Sequence, residues 1–506
     1  MRACLYLHEP MGDLRLRSAD RIVSPLLEEF FYKRGYDERA TTAITVDEVF
    51  QCSDGAAGSD ALSCHAQRSE MSTMPEIRDQ GSEARDRRTA DRTRQDQLSS
   101  LNLQPSTLHV SLLTGGSDRH YVLGLVEALA SVHVSMDVIG SDELSLPELI
   151  RNSRVNFLNL RGDQSPDASY ACKIARVLIY YWRLIRYAAT AKPKIFHILW
   201  NNKFELIDRT LLVLYYKLMG RRVLLTAHNV NIRKRDCTDS WLNRLSLRIQ
   251  YGLVHHIFVH TERMKSEVVS DFRVAAEKVS VIPYGINNAV PNTAITTAKA
   301  KERLGVSCDD KAILCFGQIA PYKGVEYLVT ALTNVLKKDG NYRLIIAGKP
   351  KWDESYWKEI EQLIIKNEVS ERVITRVEHV PDNETEIFFK AADVVVLPYT
   401  DIFQSGVLFL AYSFGLPVIA ADVGSLRDSI IEGETGFVFE ARNSRELASK
   451  IELYFTSNIF KDLEMHRGKI KASANTHYSW DKVALITRQV YSKLVRSRGD
   501  AQPNGT

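Results

Sequence analysis

Residues that could bind an anion stand in a loop in the second half of the sequence. The apolar run DVVVLPY, residues 393–399, leads into TDIFQSG and then into a helical pattern, so Ser405 and Gly406 stand at a helix start. Unpaired backbone N–H groups and the helix dipole at such a start favour a phosphate group. An ordinary capped helix is the alternative, because serine is a common N-cap residue.

Another loop could supply a positive charge to the same ligand. The strand pattern KAILCFG runs into QIAPYKG, which places Gln318 and Lys323 just past the carboxyl end of a strand, where open α/β sheets bind ligands. Lys323 offers a mobile cation for a diphosphate, and Gly317 and Gly324 let the backbone turn closely around it. A surface lysine in a solvated loop is an equally good interpretation of Lys323.

The elements that must position these loops are strands alternating with helices. From Leu108 onward, short apolar runs are separated by longer helical patterns, which is typical of parallel strands covered by helices. The predicted strands are LHVSLL, VSMDVIG, IFHILW, RRVLLTAH and HHIFVH in a first series and KAILCFG, YRLIIAG, RVITRV, DVVVLP and PVIAAD in a second. This order predicts an α/β protein with two Rossmann-like, doubly wound domains facing a cleft.

The domain boundaries follow from where these series begin and end. The first Rossmann-like domain is predicted over residues 106–292 and the second over residues 293–475. A helix over residues 476–496 could cross back onto the first domain. Residues 1–105 form an extension of unknown function that we expect to be mostly disordered, because much of it is poor in large apolar side chains. Residues 497–506 are expected to be a disordered tail.

The bulk properties fit a globular protein of more than one domain. The chain has 506 residues, 45% hydrophobic and 25% charged, and a formal net charge of +4, so nothing indicates a nucleic-acid partner. Its seven cysteines lack the paired spacing of a zinc site or a disulfide framework. The sequence shows neither a secretory signal nor an apolar run of about 18 residues. We therefore expect a cytoplasmic protein, with any contact at the inner face of the membrane being peripheral.

Six motifs resemble those of a known family in their order and spacing. They are VIPYGIN, FGQIAPYKGVEYL, IIAGKP, AADVVVLPY, FQSGVLFLAYSFGLPVIA and GSLRDSIIEGETGFVF. The sequence resembles the family-four retaining glycosyltransferases, which have a double-Rossmann, B-type fold, over residues 108–494. The resemblance implies transfer of a hexose-type sugar, with retention, from a GDP- or UDP-linked donor to a glycan or lipid-linked glycan, in the synthesis of surface polysaccharide.

The resemblance also implies which residues bind the donor in the second domain. Lys323 would bind the diphosphate and take part in catalysis, and Ser405, Gly406 and Val407 would offer it backbone N–H groups. Residues 379–381 would line the base. The donor-binding candidates are Gly317, Gln318, Lys323, His379, Val380, Gln404, Ser405, Gly406 and Val407.

Three positions depart from the pattern of that family. Many members carry two glutamates, eight positions apart, where this sequence has Ile402 and Leu410, and their usual arginine in the first phosphate loop is Gln318 here. Apolar side chains cannot accept hydrogen bonds from the ribose or the sugar. The protein is then either an active enzyme in which Gln404, Ser405 and backbone groups hold the donor, or an inactive nucleotide-sugar-binding scaffold or regulator of a polysaccharide-assembly complex.

The acceptor would approach from the first domain. The resemblance places Gly116, His120 and His228 at the floor of the cleft, with His228 as a catalytic candidate. A core histidine satisfied by a backbone carbonyl is the alternative for His228. The loop that follows it could hold acceptor hydroxyls or a lipid pyrophosphate, or could simply be solvated. The acceptor-binding candidates are Gly115, Gly116, His120, Asn229 and Arg233.

One helical segment of the first domain combines basic and aromatic residues. The helical period places Lys173, Arg176, Tyr180, Arg183 and Tyr187 near one face and Ile174, Val177, Leu178, Tyr181 and Ile185 opposite. Basic and aromatic residues together suit an anionic membrane surface. A covering helix with a solvated basic face is the more ordinary interpretation.

Other ligands and reactions have less support in the sequence. The second domain has no Asp-x-Asp near its phosphate loops and no His/Cys cluster has metal spacing, so we expect no obligatory metal and no cofactor besides the nucleotide sugar. No predicted strand is followed by G-x-G-x-x-G, which argues against an NAD-dependent oxidoreductase. A sugar-nucleotide epimerase of the same architecture is an alternative, but acidic residues would be expected in its cleft.

Overall fold

The computed structural model describes most of the chain from Leu108 onward. The described residues are 108–115, 118–165, 168–235, 238–286, 290–351 and 353–496. The predicted disordered extension, residues 1–105, and the predicted tail, residues 497–506, lie outside this part of the chain. The acceptor candidate Gly116 also lies outside it.

Seven parallel strands form the first sheet, in the order β3-β2-β1-β4-β5-β6-β7. They are β1 (Leu108–Leu113), β2 (Val134–Gly140), β3 (Val155–Asn159), β4 (Ile195–Ile198), β5 (Arg222–Thr226), β6 (His256–Val259) and β7 (Val279–Val281). Strands β4 and β6 are buried along their whole length, as expected for parallel strands covered on both faces. The strand order reverses direction at β1, which leaves a crevice between the loops that follow β1 and β4.

Six parallel strands form the second sheet, in the order β10-β9-β8-β11-β12-β13. They are β8 (Lys311–Phe316), β9 (Tyr342–Ala347), β10 (Val373–Arg376), β11 (Val394–Leu397), β12 (Val418–Ala421) and β13 (Gly436–Phe439). Here the order reverses at β8, so the loops after β8 and β11 border the equivalent crevice.

Helices cover both faces of each sheet and define two lobes. The N-terminal lobe has α1 (Arg119–Ser131), α2 (Pro147–Arg151), α3 (Tyr170–Thr190), α4 (Glu205–Ile207, a π-helical turn over Asp208–Leu212, and Val213–Leu218), α5 (Ile232–Arg235), α6 (Trp241–Leu253) and α7 (Glu262–Phe272). The C-terminal lobe has α8 (Thr297–Arg303), α9 (Val325–Leu336), α10 (Ser355–Lys366), α11 (Asp382–Ala391), α12 (Gly406–Ser413), α13 (Ser444–Thr456), α14 (Asn458–Lys461) and α15 (Leu463–His477). No helix in the described part of the chain is long and apolar enough to cross a membrane.

This architecture confirms the predicted fold class of two doubly wound, Rossmann-like sheets. Each of the ten predicted strands is present, and most of the strands are shorter than the apolar runs that predicted them. Three strands, β3, β7 and β13, were not predicted. β3 is a half-exposed edge strand and β7 has three residues, so neither shows a sustained apolar run. β13 is buried and as long as β4, and it was missed inside the motif GSLRDSIIEGETGFVF.

The last helix, α16 (Trp480–Arg496), packs on α1 of the N-terminal lobe. Its first residue, Trp480, lies against two glycines, because a Cβ atom added at Gly124 or at Gly285 would come within 2.2 Å of the indole ring. The indole N–H donates to the carbonyl oxygen of Ile286 at 3.0 Å. The chain therefore leaves the N-terminal lobe after β7 and returns to it after α15.

The basic face predicted for α3 is not solvated along its whole length. Lys173 and Tyr180, assigned to that face, are buried at 8% and 5% exposure, although Arg183 on the same face is exposed. Leu178 and Ile185, assigned to the opposite face, are exposed. Tyr180 is buried because its hydroxyl donates to Oδ1 of Asn202, in the loop before α4, at 2.6 Å.

Candidate functional site

The loop after β8 carries Lys323 into the interior of the C-terminal lobe. Gly317 and Gly324 have φ angles of +100° and +64°, so glycine is required at both bends. Lys323 is 8% exposed, and its Nζ donates to the hydroxyl of Tyr399 at 2.6 Å. The ammonium also lies 4.1 Å from the centre of that tyrosine ring. The interpretation of Lys323 as a solvated surface lysine is therefore wrong.

The helix start predicted to bind an anion lies beside this lysine. Ser405 occupies the N-cap position of α12 and is 4% exposed, but its side chain makes no capping hydrogen bond to the first turn. Its Oγ lies 3.2 Å from the hydroxyl of Tyr399 instead. The serine therefore does not act as an ordinary side-chain cap, and the start of α12 keeps the positive end of its dipole.

Both loops meet at the crevice where the strand order reverses. A Cβ atom added at Gly317 would lie 3.2 Å from Cγ2 of Val407 and 3.8 Å from Nζ of Lys323. Residues from the loop after β8 and from the first turn of α12 thus surround one point. Tyr399, two residues beyond β11, bridges Lys323 and Ser405. The arrangement combines one cation with a helix N-terminus, which suits a diphosphate.

The remaining donor candidates differ in their surroundings. Gln318 is exposed, and Gln404 is half-buried with its Oε1 atom buried and without a hydrogen-bond partner. His379 is exposed, whereas Val380 is 7% exposed and packs in the core just before α11. An acceptor oxygen without a partner at Gln404 is available to a ligand donor group, such as a hydroxyl.

His228 lies at the carboxyl edge of the first sheet, between aromatic rings. Its imidazole stacks on Trp200 with 4.0 Å between ring centres and meets the edge of Tyr121 at 4.6 Å. Its Nδ1 lies 2.9 Å from Nε2 of His260. His260 in turn places Nδ1 3.3 Å from the carbonyl oxygen of Ile282. Carbonyl oxygens only accept hydrogen bonds, so His260 carries its proton on Nδ1.

The proton positions of this histidine pair follow from that contact. Neutral His260 accepts at Nε2, so His228 donates from Nδ1 and holds a lone pair on Nε2. That Nε2 is buried and has no partner. Burial holds the pKa of His228 well below its usual range and lowers the pKa of His260 to about 4. His228 is therefore a neutral hydrogen-bond acceptor at physiological pH. The backbone carbonyl is bound by His260 rather than by His228.

His120 connects the two lobes. Its Nε2 lies 3.1 Å from Oδ2 of Asp382, the first residue of α11. The hydrogen bond to Asp382 raises the pKa of His120 above its usual value, and the same bond lowers the pKa of Asp382. The acceptor candidate His120 thus contacts the residue that directly follows the segment predicted to line the donor base.

Of the other acceptor candidates, Gly115 and Arg233 are held in protein contacts. Gly115 has φ +61°, and a Cβ atom there would lie 2.5 Å from the carbonyl oxygen of Trp200, so the loops after β1 and β4 are in close contact. Arg233 lies 3.3 Å from Oε2 of Glu205 in an ion pair at the start of α4. Asn229 is half-buried.

Two family descriptions match the chain, one in each lobe. Residues 310–456 match the family described as Glycosyl transferases group 1, and residues 115–290 match Glycosyltransferase Family 4. Together these matches cover more than half of the 506 residues. The chain belongs to the group 1 glycosyltransferases.

Individual relatives of this group 1 glycosyltransferase are 25% and 28% identical to it over the aligned residues. A D-inositol 3-phosphate glycosyltransferase of Corynebacterium efficiens is 25% identical over 247 residues, which make up 48% of this chain and 57% of that protein. An uncharacterized glycosyltransferase of Methanocaldococcus jannaschii is 28% identical over 244 residues, 47% of this chain and 60% of that protein. The chain therefore spans less than two thirds of the length of these curated relatives.

Solved structures share the fold. Sucrose-phosphate synthase of Thermosynechococcus elongatus aligns with a TM-score of 0.62 and 18% identity, over 77% of this chain and 100% of that one. HepE of Anabaena, in complex with UDP-glucose, aligns with a TM-score of 0.58 and 15% identity, over 78% of this chain and 100% of that one. At these identities the likeness shows the fold alone.

In this group 1 glycosyltransferase the two positions expected to hold glutamates belong to the hydrophobic core. Ile402 and Leu410 are each 8% exposed and pack in the cluster that contains Tyr399 and Phe409. The carbonyl oxygen of Ile402 also lies close to Gly424, where a Cβ atom would come within 1.9 Å of it. A glutamate at either position would place a carboxylate among apolar side chains.

Sequence reasoning missed several residues of the site. Tyr399 links the two phosphate loops, and Trp200 and His260 fix the ring of His228. Tyr284 stacks on Phe409 of α12 at 5.3 Å. Two of them stood within motifs already recognised, Tyr284 in VIPYGIN and Tyr399 in AADVVVLPY. Only the contacts between elements distinguish these residues from ordinary core aromatics.

Proposed function

We propose that the protein transfers a hexose-type sugar, with retention, from a GDP- or UDP-linked donor to a glycan or lipid-linked glycan in the synthesis of surface polysaccharide. The observation that carries the proposal is the meeting of Lys323, Tyr399 and the start of α12 around Gly317. One ammonium and a helix N-terminus would stabilise the negative charge that develops on the departing diphosphate.

The proposal assigns different tasks to the two lobes. The C-terminal lobe binds the diphosphate through Lys323 and the backbone of Gly406 and Val407, with residues 379–381 beside the base. The N-terminal lobe presents the neutral Nε2 of His228, which accepts a hydrogen bond from a sugar hydroxyl and so orients the reacting groups. In a retaining transfer assisted by the leaving diphosphate, attack occurs on the same face, and positioning carries most of the catalysis.

A transfer assay tests the proposal. The purified full chain would be incubated with a panel of UDP- and GDP-sugars, beginning with UDP-glucose. Acceptors would include a lipid-linked glycan extract and D-inositol 3-phosphate, since relatives bear that substrate in their names. The expected result is transfer from at least one donor. Absence of both transfer and nucleotide binding across the panel contradicts the proposal.

A second function is favoured by the apolar surroundings of Ile402 and Leu410. A nucleotide-sugar-binding scaffold or regulator of a polysaccharide-assembly complex needs the diphosphate site but no contacts that act only in the transition state. Binding of a nucleotide sugar without any transfer or hydrolysis in the same panel would support this function.

The diphosphate site is tested by replacing its cation. Lys323→Ala should weaken nucleotide binding about tenfold or more, because a charge-assisted contact with the diphosphate is lost. Lys366→Ala, at an exposed lysine that ends α10, is the matched control and should bind as the parent does. Isothermal titration calorimetry with UDP and GDP measures both. Equal affinities for the parent and Lys323→Ala would show that the diphosphate binds elsewhere.

A further inference from the structure

The N-terminal lobe carries an exposed apolar surface on α3, α4 and α6. Of the 22 large hydrophobic side chains exposed in the described part of the chain, sixteen lie between residues 170 and 249. This concentration is not the scattered exposure that ordinary surfaces show. The apolar surface is represented by Leu178 and Trp182 on α3, Leu211 and Leu218 on α4, and Trp241 on α6, which are 59–74% exposed.

The three helices lie side by side, so these residues form one continuous surface. The hydroxyl of Tyr215 on α4 donates to the carbonyl oxygen of Ile185 on α3 at 3.1 Å. On its other side, α4 contacts α6 through Arg209, whose guanidinium donates to the side chain of Asn243 at 2.8 Å. α4 is therefore the middle helix of the three.

These helices expose large apolar side chains although they also bury apolar ones on their inner faces. Leu184 and Tyr216 are fully buried, whereas Leu178 and Leu211 are 61% and 65% exposed. Exposed apolar area is unfavourable in water. An apolar environment on the outer side removes that cost.

The charged side chains that α3 and α6 expose are positive. They are Arg183 and Arg186 on α3 and Arg244 and Arg248 on α6, and neither helix contains an aspartate or a glutamate. Arg244 is paired with Asp239, just before α6, at 2.6 Å. The guanidinium of Arg186 lies 5.6 Å from the ring centre of Trp182. Arginine beside tryptophan is suited to the headgroup level of a bilayer, where each basic residue contributes about 1 kcal/mol with anionic lipid.

We propose that the apolar surface docks on a bilayer that contains anionic lipid, with α3, α4 and α6 lying in the plane of the membrane. Their apolar side chains enter the acyl boundary and the flanking arginines contact phosphate headgroups. Docking needs neither donor nor acceptor. One consequence rests on the proposed function: α4 follows the loop that holds Trp200, so a lipid-linked acceptor would reach His228 from the docked side.

Vesicle flotation tests the proposal with the full chain and no nucleotide. The protein should float with vesicles of phosphatidylcholine and phosphatidylglycerol and much less with phosphatidylcholine alone. The double variant Leu211→Glu, Trp241→Glu should reduce the bound fraction at least about tenfold, since two apolar side chains leave the acyl boundary. Ile365→Glu is the matched control, because Ile365 is 64% exposed on α10 of the C-terminal lobe.

Two results would overturn membrane docking. In the first, the parent floats with neither kind of vesicle. In the second, the double variant floats as well as the parent does. A self-associated parent that Leu211→Glu converts to monomer in analytical ultracentrifugation, without lipid binding, would assign the surface to a second copy of the chain. Nucleotide binding by each variant verifies its fold, so a failure of docking is distinguished from a failure of the donor site.

Discussion

The side chain of Lys323 is buried in the C-terminal lobe. Its Nζ donates to the hydroxyl of Tyr399, and burial raises the pKa of that tyrosine, so the hydroxyl stays neutral. A neutral partner positions the ammonium without cancelling its charge. The same hydroxyl lies 3.2 Å from Oγ of Ser405, so one tyrosine contacts residues of both phosphate loops.

Removal of this hydroxyl should weaken the diphosphate site without unfolding the lobe. We expect Tyr399→Phe to lower nucleotide affinity about threefold to tenfold, the effect of one lost hydrogen bond that positions a charge. Tyr412→Phe is the control, since its hydroxyl donates to the carbonyl oxygen of Ser429, which is outside the two phosphate loops. Calorimetry with UDP and GDP measures both variants. An unchanged affinity in Tyr399→Phe would remove this tyrosine from the site.

His228 should influence transfer but not nucleotide binding. With its lone pair on Nε2 gone, His228→Ala is expected to lower kcat/KM about tenfold, as for one hydrogen bond to a substrate hydroxyl. Nucleotide affinity should match the parent, because the nucleotide binds in the other lobe. His109→Ala, at the amino end of β1, is the control. A parallel loss of nucleotide affinity in His228→Ala would indicate that the variant disturbs the fold.

The protonation of His228 makes a separate prediction about pH. Since burial holds its pKa well below the usual 6.5, the imidazole stays neutral between about pH 5 and pH 8. The pH profiles of kcat/KM for the parent and for His228→Ala should then have the same shape. The parent should show no additional acid limb near pH 6.5. Such a limb would show that the imidazole is charged in the working enzyme.

At the residue scale, the sequence could indicate the phosphate loops but not the contacts that connect them. Strand ends and helix starts are visible in the apolar pattern, which led to Lys323 and Ser405. The roles of Tyr399 and His260 depend on which strands are neighbours in the sheets. That information is tertiary, and nothing local in the sequence contains it.

Among the elements, the turn between β8 and α9 leaves room for glycine only. Gly324 has φ +64°, and a Cβ atom there would lie 2.1 Å from the carbonyl oxygen of Pro398. Both the backbone angle and the space exclude a side chain. The turn therefore fixes the position of Lys323, its neighbour in the sequence.

Substitution at this turn should destabilise the protein beyond the effect of the φ angle. Gly324→Ala is expected to lower the free energy of unfolding by about 3 kcal/mol, about 1 kcal/mol from the left-handed angle and the rest from steric overlap. Gly305→Ala is the matched control, since Gly305 has φ +70° but open space around it, and should cost about 1 kcal/mol. Denaturant titration measures both, and equal losses would contradict the steric argument.

At the element scale, the apolar pattern predicted most of the buried strands but gave the wrong orientation for part of α3. Most of the ten predicted strands are buried on both faces and read as continuous apolar runs, whereas β10 is a half-exposed edge strand. The facing of α3 was wrong because the pattern assumes that polar residues face water. Here Lys173 and Tyr180 are buried and Leu178 is exposed.

Across the whole molecule, the pair His120 and Asp382 joins the lobes in a way that depends on pH. The ion pair exists only while the imidazole is protonated and the carboxylate is ionised, and a neutral imidazole keeps only a hydrogen bond to Asp382. Because the pKa of His120 is raised above 6.5 and that of Asp382 is lowered, the ion pair is favoured on the acid side of the raised value. Its charge attraction is lost as the pH rises through the raised value of His120.

This contact predicts that the unliganded protein opens as the pH rises. Between about pH 6 and about pH 8.5, the radius of gyration from small-angle X-ray scattering should increase. In His120→Gln the value should be the same at both pH values and equal to that of the parent at the higher one. His379→Gln, at an exposed histidine near the same helix, should behave like the parent. A parent without any pH dependence would show that other contacts hold the lobes.

The contact of Trp480 with Gly124 and Gly285 has a consequence for any attempt to divide or recombine the protein. The N-terminal lobe is assembled from two separate stretches of chain, because α16 covers α1 after the whole C-terminal lobe has been made. An expression fragment that stops after β7 would lack that cover. A chimera that exchanges the donor lobe with a relative needs two junctions, one near residue 290 and one just before Trp480. The tryptophan and both glycines must come from the same parent.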